Sequence, residues 1–330
     1  PILQRHTSRN LMMVDCIMPN NYLTDLLPRI RDEVGYVNMF YEMKANLKLS
    51  DLLTMRSCGI ERFQPGIESL SSSLLKRMRK GVSGVNNLRL LINSRRARIY
   101  PAWNILFGFP GDTREDYAEM LQAVPYLLHL TPPTAVTVIS IDRFSSLFKN
   151  PNEFKIENME PYPSYHNIFS DLVKVDKIGY HHIGTFESEA LSDMDLRHSI
   201  ISTFSQWKEM ALERNATLEM VQAGELGTLV IDTRGTINES TMFYLPSEIA
   251  ELCFLIEDGV VERKDIDPDS LSQLTAKGLV LDYEGTLVNL VVRYTGAKTE
   301  WLYPDSLESG AFLESTAEFL AARDSCSALV

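Results

Sequence analysis

The chain has 330 residues, 45% hydrophobic and 23% charged, and a net charge of −12. That is the make-up of an ordinary globular protein, long enough for two domains or for one barrel with an appended module. The acidic balance argues against a general nucleic-acid binder, and no run approaches the roughly 18 apolar residues of a membrane span. Without a charged-then-apolar leader the chain reads as cytoplasmic. It opens on Pro1 rather than Met, so a polypeptide that starts further upstream is expected.

In chain order, Asn10–Ile17 predicts a buried strand ending near Asp15, and Tyr22–Val34 a helix. Val37–Tyr41 is a second strand that runs out through Glu42 and Lys44. A helix from an N-capping Ser50 stops at Gly59. Ile60–Gln64 is a third strand leading into the loop PGIES, after which Leu70, Leu74, Leu75 and Met78 share a helical face. Val85, Leu88 and Ile92 mark a further helical piece. Ala102–Phe107 is the fourth strand, ending in FGFPGDT, with Thr113 as cap of the next helix. That helix carries Tyr117, Met120, Leu121, Val124, Leu127 and Leu128 on one stripe. Val136–Ile141 is a fifth strand ending in DRFS.

Strand, polar loop and helix in repetition is the pattern of a parallel sheet or barrel, in which ligands sit at the carboxyl ends of the strands. Residues 1–150 form this unit. Asn, Pro and Glu between Lys149 and Pro163 mark a boundary, and 151–225 reads as a helical linker region that includes a helix over Asp193–Glu213. Residues 226–295 hold two helices, one starting at Pro246-Ser247 and one over Asp269–Lys277. A hairpin turning near Glu284-Gly285 follows, which is a winged-helix-like α+β order. Residues 296–330 read as a peripheral tail.

The candidate binding set is the strand ends: Asp15, Glu42, Lys44, Gln64, Glu68, Asn104 and Asp112. Carboxylates and amides there suit hydroxyls and ammonium groups such as a ribose and an amino-acid head. Gly66, Gly108 and Gly111 would admit a ligand close to the backbone or supply left-handed turns. Glu42 and Lys44, two apart on an extended segment, can pair or can bind. The run Lys76, Arg77, Arg79, Lys80 fits a solvated helix face, or brings Arg79 or Lys80 to an anionic group. Asp142 and Arg143 fit a rim salt bridge or a substrate contact. His181-His182 reads as structural. Cys16, Cys58, Cys253 and Cys326 are too scattered for a local zinc or iron–sulfur ligand set.

The motifs VDCIMP, FYEMKANL, FQPGIESLSSSLLKRMRKG, PAWNILFGFPGDTREDY, HLTPP and IDRFS, in this order and spacing, resemble the radical S-adenosylmethionine enzymes. More narrowly, they resemble the cobalamin-dependent group that matures ribosomally made peptides (RiPP maturation radical SAM protein 1). The resemblance covers about residues 8–150 well, and the winged-helix-like part more loosely. It implies that the five strands are the second to sixth of a partial (βα)6 barrel. Gln64, Glu68 and Ser69 then meet the ribose and methionine parts of S-adenosylmethionine, with Gly66 beside them. Asn104, Gly108 and Asp112 lie near the adenine, Glu42 and Lys44 near the methionine or substrate, and Asp142 and Arg143 on the substrate side.

It further implies a [4Fe-4S] cluster, cobalamin and a precursor-peptide substrate methylated at an unactivated carbon. The family's CxxxCxxC cluster loop and cobalamin domain would lie before Pro1, so an N-terminal half or a partner subunit would supply them. Asp112 stands where Glu is usual, Cys16 where Asn is expected, and Ser146-Leu147 where Pro-Tyr is expected. The alternative is a non-catalytic, degenerate barrel that binds a peptide or partner subunit. A DNA-binding winged helix is disfavoured, because ten acidic residues face four basic ones between Pro246 and Tyr294.

Overall fold

The computed structural model describes residues 2–6, 8–14, 17–170, 172–214, 216–222, 227–238, 241–257 and 259–293. Asp15, Cys16 and the tail 296–330, with Cys326, lie outside the described residues. The chain runs α1 (Ile2–Arg5), β1 (Asn10–Met12), α2 (Leu26–Val34), β2 (Asn38–Met43), α3 (Leu49–Ser57) and β3 (Arg62–Pro65). Then come α4 (Ser72–Arg77), α5 (Gly84–Ala97), β4 (Tyr100–Pro101), β5 (Asn104–Phe107), α6 (Glu115–Leu127) and β6 (Ala135–Val138).

Strands β1 to β4 form a parallel sheet in that order, and β5 pairs with β6 in parallel. A parallel bridge from Glu68 to Ile105 joins the two sheets. The five expected strands therefore stand side by side in sequence order, in a mixed α/β architecture, although the first is only three residues long and is not buried, with Met12 71% exposed. The fourth is longer than expected and broken, because its register to the third strand changes along its length. Arg62 faces Tyr100 but Glu68 faces Ile105, so the β3 side takes up one extra residue in the turns around Gly66–Ser69.

Alternation sets the faces. In β2 and β3, Tyr41, Met43, Phe63 and Pro65 are buried against the helices, while Glu42 and Gln64 are exposed on the other face. Two helix starts differ from expectation. Helix α3 begins one residue before Ser50, and its N-cap is Lys48, whose backbone N–H donates to Asp51 Oδ2 at 2.9 Å. Thr113 makes no side-chain cap; instead its N–H donates to Asp116 Oδ2 at 2.9 Å, one residue before the α6 N-cap Arg114.

The expected fifth strand is divided into β6 and β7 (Ile141–Asp142). After α7 (Ser146–Lys149), the region 151–225 is not a purely helical linker. It contains β8 (Glu157–Pro161), α8 (Ser164–Ile168), α9 (Val175–Ile178), β9 (His181–Thr185), α10 (Glu189–Ser192) and α11 (Met194–Arg214). Strands β7, β9 and β8 form an antiparallel sheet in that order. Sequences such as ENMEP and HHIGT lack apolar alternation because these are short, half-exposed strands held by backbone pairing. Strand β10 (Leu218–Gln222) pairs antiparallel with β11 (Thr228–Asp232), so the boundary at 225 cuts through a strand pair.

The remaining elements are β12 (Met242–Leu245), α12 (Ser247–Glu257), α13 (Pro268–Ala276), β13 (Val280–Tyr283), β14 (Thr286–Asn289) and β15 (Val292–Arg293). The two helices and the hairpin turning at Glu284-Gly285 are as expected. One hydrophobic cluster runs from Leu27 and Phe63 through Trp103 and Trp207 to Leu274 and Val291, so the parallel-strand unit and the helix–hairpin elements over 247–289 share a core. Buried polar ties cross it. Arg234, fully buried, pairs with Asp232 at 2.7 Å and donates to the carbonyls of Tyr126 and Gly278. His129 meets the Leu290 carbonyl at 2.9 Å. Among the described residues no helix is long and apolar enough to cross a membrane.

Candidate functional site

Strands β2 and β3 end at the same level, and Glu42 and Gln64 are register partners across them. Beyond β3 the chain makes two tight turns, with Ile67 N–H on Pro65 O (2.8 Å) and Ser69 N–H on Ile67 O (2.7 Å). These turns lift Glu68 to the rim with a left-handed backbone, φ 60°. The result is a pocket of about 270 Å³ lined by Glu42, Gln64, Gly66, Glu68, Lys80 and Asn104, with the apolar side of Trp103. Five of the sequence-selected residues therefore converge, although they span 62 positions of sequence, from Glu42 to Asn104.

Lys80 enters by a turn that the sequence does not announce. Helix α4 stops at Arg77, Arg79 takes a left-handed φ of 59°, and Lys80 Nζ reaches Glu68 Oε1 at 2.8 Å. The basic run is thus no single helix face. Arg77 pairs with Asp116 at 3.2 Å, and Arg79 pairs with Glu153 while lying over the Phe154 ring. The Lys80–Glu68 pair is partly exposed and contributes at most about 1 kcal/mol to stability. A ligand with an ammonium or hydroxyl group can displace it at little cost. Gly66 sits beside this pair with ordinary φ. A Cβ there would lie 3.6 Å from Lys80 Nζ and 3.7 Å from Glu68 Oε1, in the pocket space itself.

The other expected residues go elsewhere. Lys44 is exposed, outside the lining, and makes no ion pair with Glu42 among the described residues. Ser69 is fully buried; its hydroxyl accepts from Ser71 N–H at 3.0 Å and contacts Met120 Sδ, so it belongs to the core side of the turn. Gly108 has φ 79°, and a Cβ there would lie 2.6 Å from Leu191 Cδ2, so the close approach it allows is to α10. Asp112 is buried and accepts from Tyr117 Oη, from Ser188 Oγ at 2.6 Å and from Ala190 N–H at 3.4 Å. It lines a separate pocket of about 530 Å³ with residues 186–189 and 191–192. Burial and this carboxylate push the Tyr117 phenol pKa up, keeping the phenol a donor.

Asp142 and Arg143 form neither a mutual pair nor a member of the Glu42 pocket. Asp142 accepts from Ser140 Oγ and meets His181 Nδ1, each at 2.7 Å. Arg143 donates to the carbonyls of Gly179 (2.6 Å) and Asp176 (2.7 Å) and lies over Phe148. His181 is thereby an exposed partner of Asp142. His182 is buried beside Phe148, and burial lowers its pKa.

The described residues do not offer a cluster site. Cys58 and Cys253 are free and buried, burial pushes the Cys253 thiol up to about 12, and no group of three or more His, Cys, Asp or Glu could hold a metal ion.

No family model and no curated protein matches the chain. Among solved structures it is similar to the radical S-adenosylmethionine methyltransferase TsrM from Kitasatospora setae, at 12% identity and a TM-score of 0.39, over 57% of this chain and 40% of that one. It is also similar to the cobalamin-dependent S-adenosylmethionine radical enzyme OxsB, at 15% identity and a TM-score of 0.33, over 82% and 38%. A third is the archaeal Elp3 of Methanocaldococcus infernus, at 13% identity and a TM-score of 0.34, over 45% and 41%. The likeness is distant. It is a structural similarity to radical S-adenosylmethionine enzymes, cobalamin-dependent ones included, and the chain spans about two fifths of their length.

Two contributors to the site escape a sequence reading. Asn87, in the first turn of α5, donates its side-chain amide to the carbonyls of Ile67 (3.0 Å) and Ser69 (2.8 Å). The hairpin turn grips the next residues. Tyr283 Oη donates to Leu70 O at 2.7 Å, and the Glu284 carboxylate accepts from the N–H and hydroxyl of Ser72. Neither has a local signal, because each acts across a gap in sequence.

Proposed function

We propose that the Glu42–Gln64–Glu68–Asn104 pocket holds part of S-adenosylmethionine, and that the chain is the C-terminal portion of a radical S-adenosylmethionine enzyme. The proposed reaction is a cobalamin-type C-methylation, or a related modification, of a ribosomally made precursor peptide. The supporting observation is the convergence of Glu42 and Gln64, near the carboxyl ends of β2 and β3, with Glu68 in the loop beyond β3 and Asn104 at the first residue of β5, around a counter-charged Lys80. Glu42 and Glu68 suit the ammonium group and ribose hydroxyls, and Gln64 and Asn104 offer both donors and acceptors. At about 270 Å³ the pocket lies just below the range for ligand sites, about 300–1,000 Å³, and takes part of the molecule rather than all of it.

Bound S-adenosylmethionine would supply the methyl or adenosyl group. The cluster and cobalamin are assigned to no described residue, and an N-terminal half or partner subunit is proposed to bring them. Glu68 and Glu42 would bind and orient. Lys80 would pair with Glu68 in the empty site and then turn to the ligand's carboxylate.

The test is calorimetric titration of the chain with S-adenosylhomocysteine. Binding that Glu42→Ala and Gln64→Ala each weaken about tenfold supports the reading. Absence of binding, or binding indifferent to both substitutions, sinks it and favours the non-catalytic peptide- or subunit-binding module.

A further inference from the structure

We infer that Asn87 is the positioning residue of this pocket: it fixes the left-handed backbone that aims Glu68 at the ligand. The inference deepens the proposed S-adenosylmethionine reading and depends on it only for the ligand's identity.

The turn after β3 is buried, with Ile67, Ser69 and Leu70 at zero exposure, so its carbonyls need protein partners. Each has one. Glu68 O accepts from Leu106 N–H at 2.8 Å, Leu70 O from Tyr283, and Ile67 O and Ser69 O both from Asn87 Nδ2. Asn87 thus grips the residue before and the residue after Glu68. Between those two grips lies a non-glycine residue at φ 60°, a conformation costing about 1 kcal/mol. Glycine would turn there without strain. A glutamate is kept instead, and its carboxylate is the group that meets Lys80 in the pocket.

Asn87 is itself unfavourably placed for stability alone. It is fully buried, and its Oδ1 has no partner. A buried orphan acceptor costs about 1–3 kcal/mol. Strain at Glu68 and an unpaired oxygen on its clamp are understandable together if the orientation of one carboxylate is what both serve.

The experiment compares Asn87→Ala, Glu68→Gly and the double substitution in the full chain, by amide hydrogen exchange and thermal unfolding. Asn87→Ala should speed exchange at Ser69 and Leu106 about tenfold or more, while amides late in α5 stay near the original rate. Its loss in Tm should be at least halved when Glu68→Gly is also present, because glycine no longer needs the clamp. If Asn87→Ala alone does not fold, folding of the double variant counts as that rescue, and failure of both overturns the inference. Unchanged exchange at Ser69 and Leu106, or the same Tm loss in both backgrounds, also overturns it. S-adenosylhomocysteine titration of the same proteins separates the two claims. No binding to the unsubstituted chain ends the ligand reading, while exchange and rescue still decide the role of Asn87.

Discussion

Two sets of strand-end polar residues look alike in the sequence and are used differently in the fold. Around Glu42, Gln64, Glu68 and Asn104 the polar atoms face a pocket and hold one another weakly. Around Asp112, Asp142 and Arg143 the hydrogen-bonding capacity is spent on the protein itself. Asp112 ties the β5–α6 loop to α10, Asp142 faces His181, and Arg143 closes the β9 approach. A polar side chain at a strand end is a ligand candidate only while its bonding capacity is open. The first set meets that condition and the second does not.

The largest expected effect comes from breaking the spent set. Asp112→Ala strips Tyr117 Oη and Ser188 Oγ of their acceptor in a buried place, so we expect a loss of about 3 kcal/mol in urea unfolding. Glu42→Ala, at an exposed carboxylate, should change stability by less than about 0.5 kcal/mol. Equal losses for the two would erase the distinction.

Next in size is the hairpin grip on the ligand turn. Glu284→Ala removes the acceptor of Ser72 N–H (2.6 Å) and hydroxyl at the start of α4, and should cost about 1–2 kcal/mol. Tyr283→Phe leaves Leu70 O without its buried donor and should cost about 1 kcal/mol. If unfolding shows both to be silent, the C-terminal hairpin is no support of the pocket.

A pH effect comes third. Burial, then the charge of Arg234, hold the His129 pKa well below its ordinary value; Arg95 adds to this, and Leu290 O and Asp232 oppose it. The folded state therefore keeps His129 neutral while the unfolded chain takes up a proton. Its contribution to stability is complete above the unfolded value near pH 6.5 and is lost as pH falls below it. Unfolding free energy measured from pH 7.5 down to 5 should decline, and His129→Gln should flatten that slope. An unchanged slope would place the titration elsewhere.

Much of the fold was legible because its long elements repeat an apolar stripe. The face of Tyr117, Met120, Val124 and Leu127 is buried where the 3.6-residue period put it, and the hairpin turns at Glu284-Gly285 with both φ positive. What was missed is what pattern cannot encode. β8 and β9 are polar and held by backbone bonds, and β4 breaks from β5 because a neighbouring turn shifts the register. In the site, the topology of parallel strands was enough to gather Glu42, Gln64 and Asn104. It could not say that Asp112 would find Ser188, 76 residues away, or that Asn87 would clamp a turn 18 to 20 residues before it.

Two of the three glycines offered for one reason, Gly66 and Gly108, give the finest test, because their substitutions should differ in sign. Gly66 has no left-handed φ, and a Cβ there meets nothing closer than 3.6 Å, so Gly66→Ala restricts the unfolded chain without straining the folded one. A gain of about 0.4–1 kcal/mol is expected. The same methyl occupies space between Lys80 and Glu68, so affinity for S-adenosylhomocysteine should fall severalfold while the protein becomes more stable. Gly108→Ala should do the reverse. At φ 79°, with Leu191 only 2.6 Å from the added carbon, it loses stability, and the Glu42 pocket, which Gly108 does not line, keeps its affinity in whatever fraction stays folded. Urea unfolding and titration on the two variants separate these outcomes. If Gly66→Ala destabilises, or Gly108→Ala alone weakens binding, then the open rim has been drawn around the wrong glycine.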